Sequence, residues 1–159
     1  MKPSTCAVAR DFETNLSPAA CALRNFPTAV GITPRHVLVV DDEPLIRWSV
    51  TECLSEVGCD VEQASDATSA LRCITTSLRP FDVVVLDLRL PDMNDLSLLA
   101  TIRQLIPTAT VILMTAFGTP EVIAHAASLG AAVMDKPFEL DEVRRLALGP
   151  TRGSASFVR

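Results

Sequence analysis

Val83-Val84-Val85-Leu86-Asp87 is a run of four apolar residues stopped by a carboxylate, and Val37-Leu38-Val39-Val40-Asp41-Asp42-Glu43 repeats the arrangement upstream. Short runs without polar alternation suit strands covered on both faces, as in the middle of a parallel sheet. Outward from these two, Val111 to Met114 and Ala131 to Met134 read in the same way. Asp60 to Ala64 is too polar for a sheet centre and reads as an edge strand. Between the strands lie segments of helical apolar spacing. The first follows Pro44 and carries apolar positions 46, 50, 53, 54 and 57 before Gly58. The second carries 67, 70, 71, 74 and 78, and the third 98, 99, 102, 105 and 106 before Pro107. The fourth runs from Pro120 with 122, 123, 126 and 127 to Gly130, and the fifth from Glu139 to Leu148. Five strand-helix units predict an α/β fold with a doubly wound, five-stranded parallel sheet and five helices. Right-handed crossovers with the polar second strand at an edge give the order 2-1-3-4-5. Ligands of such a sheet bind where the chain reverses direction, between the carboxyl ends of strands 1 and 3.

The rest of the chain adds little around this middle. Its 159 residues, 48% hydrophobic and 21% charged, fit one compact domain and exclude disorder of the whole. Residues 36–149 form that domain and hold 8 basic and 17 acidic groups, whereas residues 1–35 hold four and two and residues 150–159 two and none. A body this acidic repels phosphate backbones, so no direct nucleic-acid binding is expected, and ten residues after Gly149 cannot build a helix-turn-helix. Pro3, Pro18, Pro27 and Pro34 mark 1–35 as a poorly structured leader in which Ser17-Pro18 could open a short helix. Gly149-Pro150 ends the last helix, leaving 150–159 as a loose tail. No apolar run is long enough for a membrane, and Arg10, Asp11 and Glu13 interrupt any export signal. Five cysteines, odd in number and without a C-x-x-C pair, point to a reducing cytoplasm rather than to disulfides or thiolate zinc.

Carboxylates from Asp41-Asp42-Glu43 and Asp87 converge at the predicted crevice. Crowded like charges raise a pKa, share a proton or bind a cation, and Mg²⁺ suits a few carboxylates plus phosphate oxygens. The end of strand 4 adds a hydroxyl, Thr115, and the end of strand 5 a positive charge, Lys136. Together these parts support attack of a carboxylate oxygen on phosphorus, with Asp87 on the central strand as nucleophile and Asp41 and Asp42 sharing the metal. The product, an acyl phosphate, hydrolyses readily and so suits a temporary signal.

Val39-Val40-Asp41-Asp42-Glu43-Pro44, Val84-Val85-Leu86-Asp87-Leu88-Arg89-Leu90-Pro91, Leu113-Met114-Thr115-Ala116 and Asp135-Lys136-Pro137-Phe138 together resemble the receiver domain of two-component response regulators, across residues 36 to 148. The resemblance implies a flavodoxin-like fold and phosphorylation by a sensor histidine kinase or phosphotransfer protein. It makes Asp87 the phosphoacceptor. Asp42, Asp87 and the backbone carbonyl of Arg89 would bind Mg²⁺, with Asp41 acting through water or hydrogen bonds. Thr115 resembles the switch hydroxyl, and Lys136 the lysine that pairs with the phosphoryl group ahead of a cis peptide to Pro137. The oligomeric state stays open; for a homodimer, the resemblance implies the fourth and fifth helices and fifth strand as the surface. Two positions depart from the family: Asp95 stands where glycine is usual, predicting a left-handed turn there, and Val133 stands where an aromatic usually moves with the switch threonine.

The expected function is a stand-alone signalling module that catalyses only its own phosphorylation and dephosphorylation and acts by binding a downstream protein. A degenerate receiver serving as a phosphorylation-independent interaction or dimerisation module is the alternative, motivated by Val133. An aspartyl-phosphate phosphatase would need an acid two residues after its nucleophile, where Arg89 stands. The plainer readings are that Asp41 to Glu43 cap a helix, Thr115 ends a strand and Lys136 is solvated. Trp48 is placed at the rim of the first helix, Cys53, Cys59 and Cys73 are read as small apolar groups, and His36 and His125 are not read as ligands.

Overall fold

A computed structural model describes residues 33–149. The expectations for 1–32 and for the tail 150–159 lie outside those residues. The described chain alternates β1 (His36–Val40), α1 (Pro44–Ser55), β2 (Asp60–Ala64), α2 (Ala67–Thr76), β3 (Val83–Asp87), α3 (Ser97–Leu105), β4 (Thr110–Thr115), α4 (Pro120–Ser128), β5 (Ala131–Asp135) and α5 (Leu140–Leu148). All strands are parallel in the order β2-β1-β3-β4-β5, with Val37 opposite Val83, Val83 opposite Thr110 and Val111 opposite Ala131. The predicted fold and order are therefore those observed. The polar β2 does lie at an edge, and only its last residue, Ala64, is buried.

Side chains alternate across a strand, so each apolar run feeds two cores. Leu38, Val40, Val84, Leu86, Val111 and Leu113 pack on one face with Ala70, Leu99, Ile102 and Ala126 of α2, α3 and α4. Val37, Val39, Val83, Val85, Ile112 and Met114 pack on the other with Val50 and Leu54 of α1 and Val143 and Ala147 of α5. This two-sided burial is what keeps the interiors of β1, β3 and β4 apolar, with polar residues only at strand ends.

Several sequence expectations shift at element boundaries. Val57 and Leu78, assigned to buried helical faces, lie beyond the ends of α1 and α2 and are exposed; Leu105, in the last turn of α3, is exposed as well. Helical periodicity extrapolates past a terminus that the chain has already left. His36 belongs to β1 and is buried. Its ring stacks on Phe81 at 4.0 Å and its Nε2 lies 3.0 Å from Glu62 Oε1, partners that only the sheet brings near. Trp48 sits at the rim, and Cys53 is buried while Cys59 and Cys73 are half-buried.

The β3–α3 loop is held from both ends. Asp92 accepts from the backbone N–H groups of Ala67 and Thr68 (both 2.9 Å) and from the Thr68 hydroxyl, so it satisfies orphan donors at the start of α2. Asp95 is not in the left-handed region; no residue other than glycine has positive φ among those described. Its carboxylate accepts from Ser97 N (2.9 Å) and from the Ser97 hydroxyl, which serves the first turn of α3 where Leu96 offers no capping group. A hydrogen-bonding side chain thus replaces the conformational freedom of the usual glycine.

Two stability predictions follow from these contacts. Ile102→Ala, at a fully buried position against the sheet, should lower unfolding free energy by about 2–5 kcal/mol, read from urea denaturation. The Ala67 and Thr68 N–H groups hold the Asp92 carboxyl below the ordinary range. Its contribution is therefore present above the unfolded pKa and lost as pH falls through the lowered folded value. Asp92→Asn should be less stable than wild type at neutral pH, and the difference should close in acid; thermal melts across pH check this.

Candidate functional site: the carboxyl ends of the central strands

Because β1 and β3 are neighbours and their crossovers leave in opposite directions, no helix covers the point where both end. Asp41, immediately after β1, and Asp87, the last residue of β3, meet there, with 0% and 6% of their surface exposed. Glu43 folds back over them through its backbone N–H, which donates to Asp41 Oδ1 at 2.8 Å. Carboxylate oxygens of Asp41, Glu43 and Asp87 all lie within 4.8 Å of one another. Glu43 is the N-cap residue of α1 but makes no side-chain capping bond, so helix capping does not explain this trio.

Three negative groups at the end of an apolar sheet require compensation. β4 and β5 pair with Thr115 opposite Asp135, and Lys136 N donates to Thr115 O at 2.7 Å, which aims the next side chain across the crevice. Lys136 Nζ donates to Asp41 Oδ2 at 2.8 Å and to Asp87 Oδ2 at 3.0 Å, and lies 3.6 Å from Glu43 Oε1. Burial pushes the Asp41 carboxyl above its usual range, while the hydrogen bonds from Lys136 and Glu43 N pull the other way. Desolvation likewise disfavours the Lys136 charge, but its bonds to Asp41 and Asp87 outweigh this and the pKa rises. Bonds this short from one nitrogen to two carboxylates are those of an ammonium, so we take Lys136 as charged.

Asp42, Glu43, Asp87, Arg89, Ala116 and Lys136 line a cavity of about 370 Å³. Arg89 N donates to Asp87 Oδ1 at 3.1 Å, so this backbone N–H helps orient the carboxylate. Thr115 is buried at the end of β4, and its hydroxyl accepts from Phe117 N at 3.2 Å. The Lys136-Pro137 bond is cis, as the resemblance implies. Every site residue named from the sequence therefore comes to this one end of the sheet. Asp42 lines the cavity but is exposed and stands outside the close trio, whereas Glu43, absent from the predicted ligands, is inside it. The Asp-Asp-Glu run advertised three carboxylates; which of them turn inward depends on the loop. Two further participants were missed: Phe117, whose ring lies under the Arg89 guanidinium (5.1 Å to the centroid), and Gly118, where an added Cβ would sit 3.0 Å from Thr115 Cγ2. Neither carries a charge or a hydroxyl that a sequence reading would single out.

An oxygen-only donor set around a small open cavity fits a hard divalent cation. The fold and this constellation are those of a receiver domain, and residues 37–147 match the profile of the response regulator receiver domain family. The chain belongs to that family. It is 35% identical over 109 residues to sporulation initiation phosphotransferase F of Bacillus subtilis, covering 68% of this chain and 86% of that protein. It is 36% identical over 112 residues to the DNA-binding transcriptional regulator NtrC of Proteus hauseri, covering 70% of this chain but 23% of the relative. A crystal structure of a Burkholderia pseudomallei response regulator with a phosphorylated aspartic acid, calcium ion and citrate superposes with a TM-score of 0.64 at 25% identity, over 71% of this chain and 66% of that one. Relatives of such different extent establish the receiver domain and not the stand-alone type. No described helix is long and apolar enough to cross a membrane.

Millimolar Mg²⁺ should raise the melting temperature, and should raise it more in Lys136→Ala, because cation and ammonium satisfy the same carboxylates. Thermal melts with Mg²⁺ and with EDTA check this.

Proposed function

We propose that the chain is a phosphorylation-dependent signalling switch in which Asp87 accepts a phosphoryl group from a phosphohistidine of a sensor histidine kinase or phosphotransfer protein. The observation that carries this reading is Lys136 Nζ bridging Asp41 and Asp87 at 2.8 and 3.0 Å beside an open, acid-lined cavity. An Asp87 oxygen attacks phosphorus as the P–N bond of the donor breaks; the bonding pair stays on the imidazole, which takes up a proton. Lys136 offsets negative charge on the transferring oxygens, and the Arg89 N–H keeps the other Asp87 oxygen oriented. Asp42, Asp87 and the Arg89 carbonyl, with Asp41 nearby, would hold Mg²⁺, which would supply the remaining positive charge. Thr115, at the neighbouring strand end, donates its hydroxyl to the new phosphoryl group.

The acyl phosphate then changes affinity for a downstream protein, and the chain performs no turnover chemistry beyond its own phosphorylation and dephosphorylation. A cytoplasmic location fits the free thiols of Cys53, Cys59 and Cys73. The degenerate alternative is disfavoured because the acidic trio, the hydroxyl and the lysine are all present in place.

Radiolabelled acetyl phosphate with Mg²⁺ should label the protein, and Asp87→Asn should reduce incorporation to background. Labelling that persists in this variant refutes Asp87 as acceptor.

A further inference from the structure

Val133, in β5, packs half-buried against the core, so no aromatic ring stands there to follow Thr115. An aromatic does stand two residues after Thr115. Phe117 is 72% exposed, yet it is restrained twice: its backbone N–H donates to Thr115 Oγ1 at 3.2 Å, and the Arg89 guanidinium lies over its ring at 5.1 Å. Both restraints come from groups beside the phosphoacceptor. Thr115 ends the strand next to Asp87, and Arg89 lies two residues beyond Asp87 in the cavity wall.

Resting on the reading of Asp87 as phosphoacceptor, we infer that Phe117 is this chain's phosphorylation-responsive aromatic, held by Arg89 and Thr115 at rest and released when both turn to the phosphoryl group. Among the described residues no carboxylate side chain pairs with the Arg89 guanidinium. Its contact with an exposed ring is weaker than a charge-assisted bond to a phosphoryl oxygen, so arrival of a dianion in the cavity draws it away. The Thr115 hydroxyl, on turning to donate to the same oxygens, gives up the Phe117 N–H. Gly118 tightens the coupling, because the loop passes so close to the Thr115 methyl that a Cβ there would lie 3.0 Å from it. Rotation of Thr115 therefore presses on the segment that carries Phe117. Arg89 and Thr115 act here as positioning residues for the ring.

The test is ¹⁹F NMR of the full chain labelled with 4-fluorophenylalanine, which has six phenylalanine signals, the one from Phe117 being assigned with Phe117→Leu. Beryllofluoride with Mg²⁺ is the phosphoryl mimic, and its own bound fluoride signal reports occupancy of the site. With that bound signal present and absent in Asp87→Asn, the Phe117 signal should shift by more than its linewidth. In Arg89→Gln the resting Phe117 signal should already be displaced, leaving a smaller response. Thr115→Val, which loses the hydroxyl, should blunt the response more than Thr115→Ser, which keeps the hydroxyl and loses only the methyl that meets the Gly118 segment. A bound fluoride signal with an unmoved Phe117 signal, or an Arg89→Gln protein that behaves as wild type, overturns the inference and leaves the phosphoacceptor reading intact. No bound fluoride signal, or one that survives in Asp87→Asn, overturns that reading and the inference with it.

Discussion

The buried carboxylates of Asp41 and Asp87 cannot share the end of an apolar sheet without a counter-charge, and Lys136 supplies it through bonds of 2.8 and 3.0 Å. Most of the architecture serves that contact. β1 and β3 are adjacent, which brings the two acids together; β4 and β5 extend the sheet so that Thr115 and Lys136 arrive from the side. One nitrogen thereby joins the first, third and fifth strands. An ammonium shared between two carboxylates is also displaceable, because an incoming dianion or divalent cation changes the charge balance that holds it.

Precision at the site comes from the rigidity beneath it. Fully buried valines, leucines and isoleucine of β1, β3 and β4 interdigitate with helices on both faces, so the strand ends cannot drift without opening a core. The loops above are tied by polar contacts instead. Asp92 spans from the β3–α3 loop to the start of α2, and Asp95 closes the first turn of α3. In the β4–α4 loop Phe117 is exposed and held by a hydroxyl and a guanidinium rather than by packing.

Much of this was legible from residue order. Four apolar residues ended by an acid, repeated, announced parallel strands and a carboxylate crevice; the polar Asp60 to Ala64 announced an edge. Thr115 was readable because it closes an apolar run, and Lys136 because it stands just past the end of another, ahead of Pro137. Errors appeared where spacing was extended past a helix end, at Val57 and Leu78, and contacts between residues far apart along the chain, as Glu62 and Phe81 are from His36, were not legible at all. The Asp95 expectation failed for a related reason: a residue type suggested a backbone conformation, but a nearby serine offered its side chain a hydrogen bond that made the conformation unnecessary.

By itself the sequence determined the sheet, its strand order, the receiver motifs and the set of acids, because apolar periodicity and residue type are local properties of a chain. Only the tertiary structure decided that Glu43 rather than Asp42 completes the close trio, that one ammonium spans Asp41 and Asp87, and that Phe117 sits under Arg89. Those outcomes depend on side-chain direction and on distances between residues remote in sequence, which are set when the strands pair and the loops close.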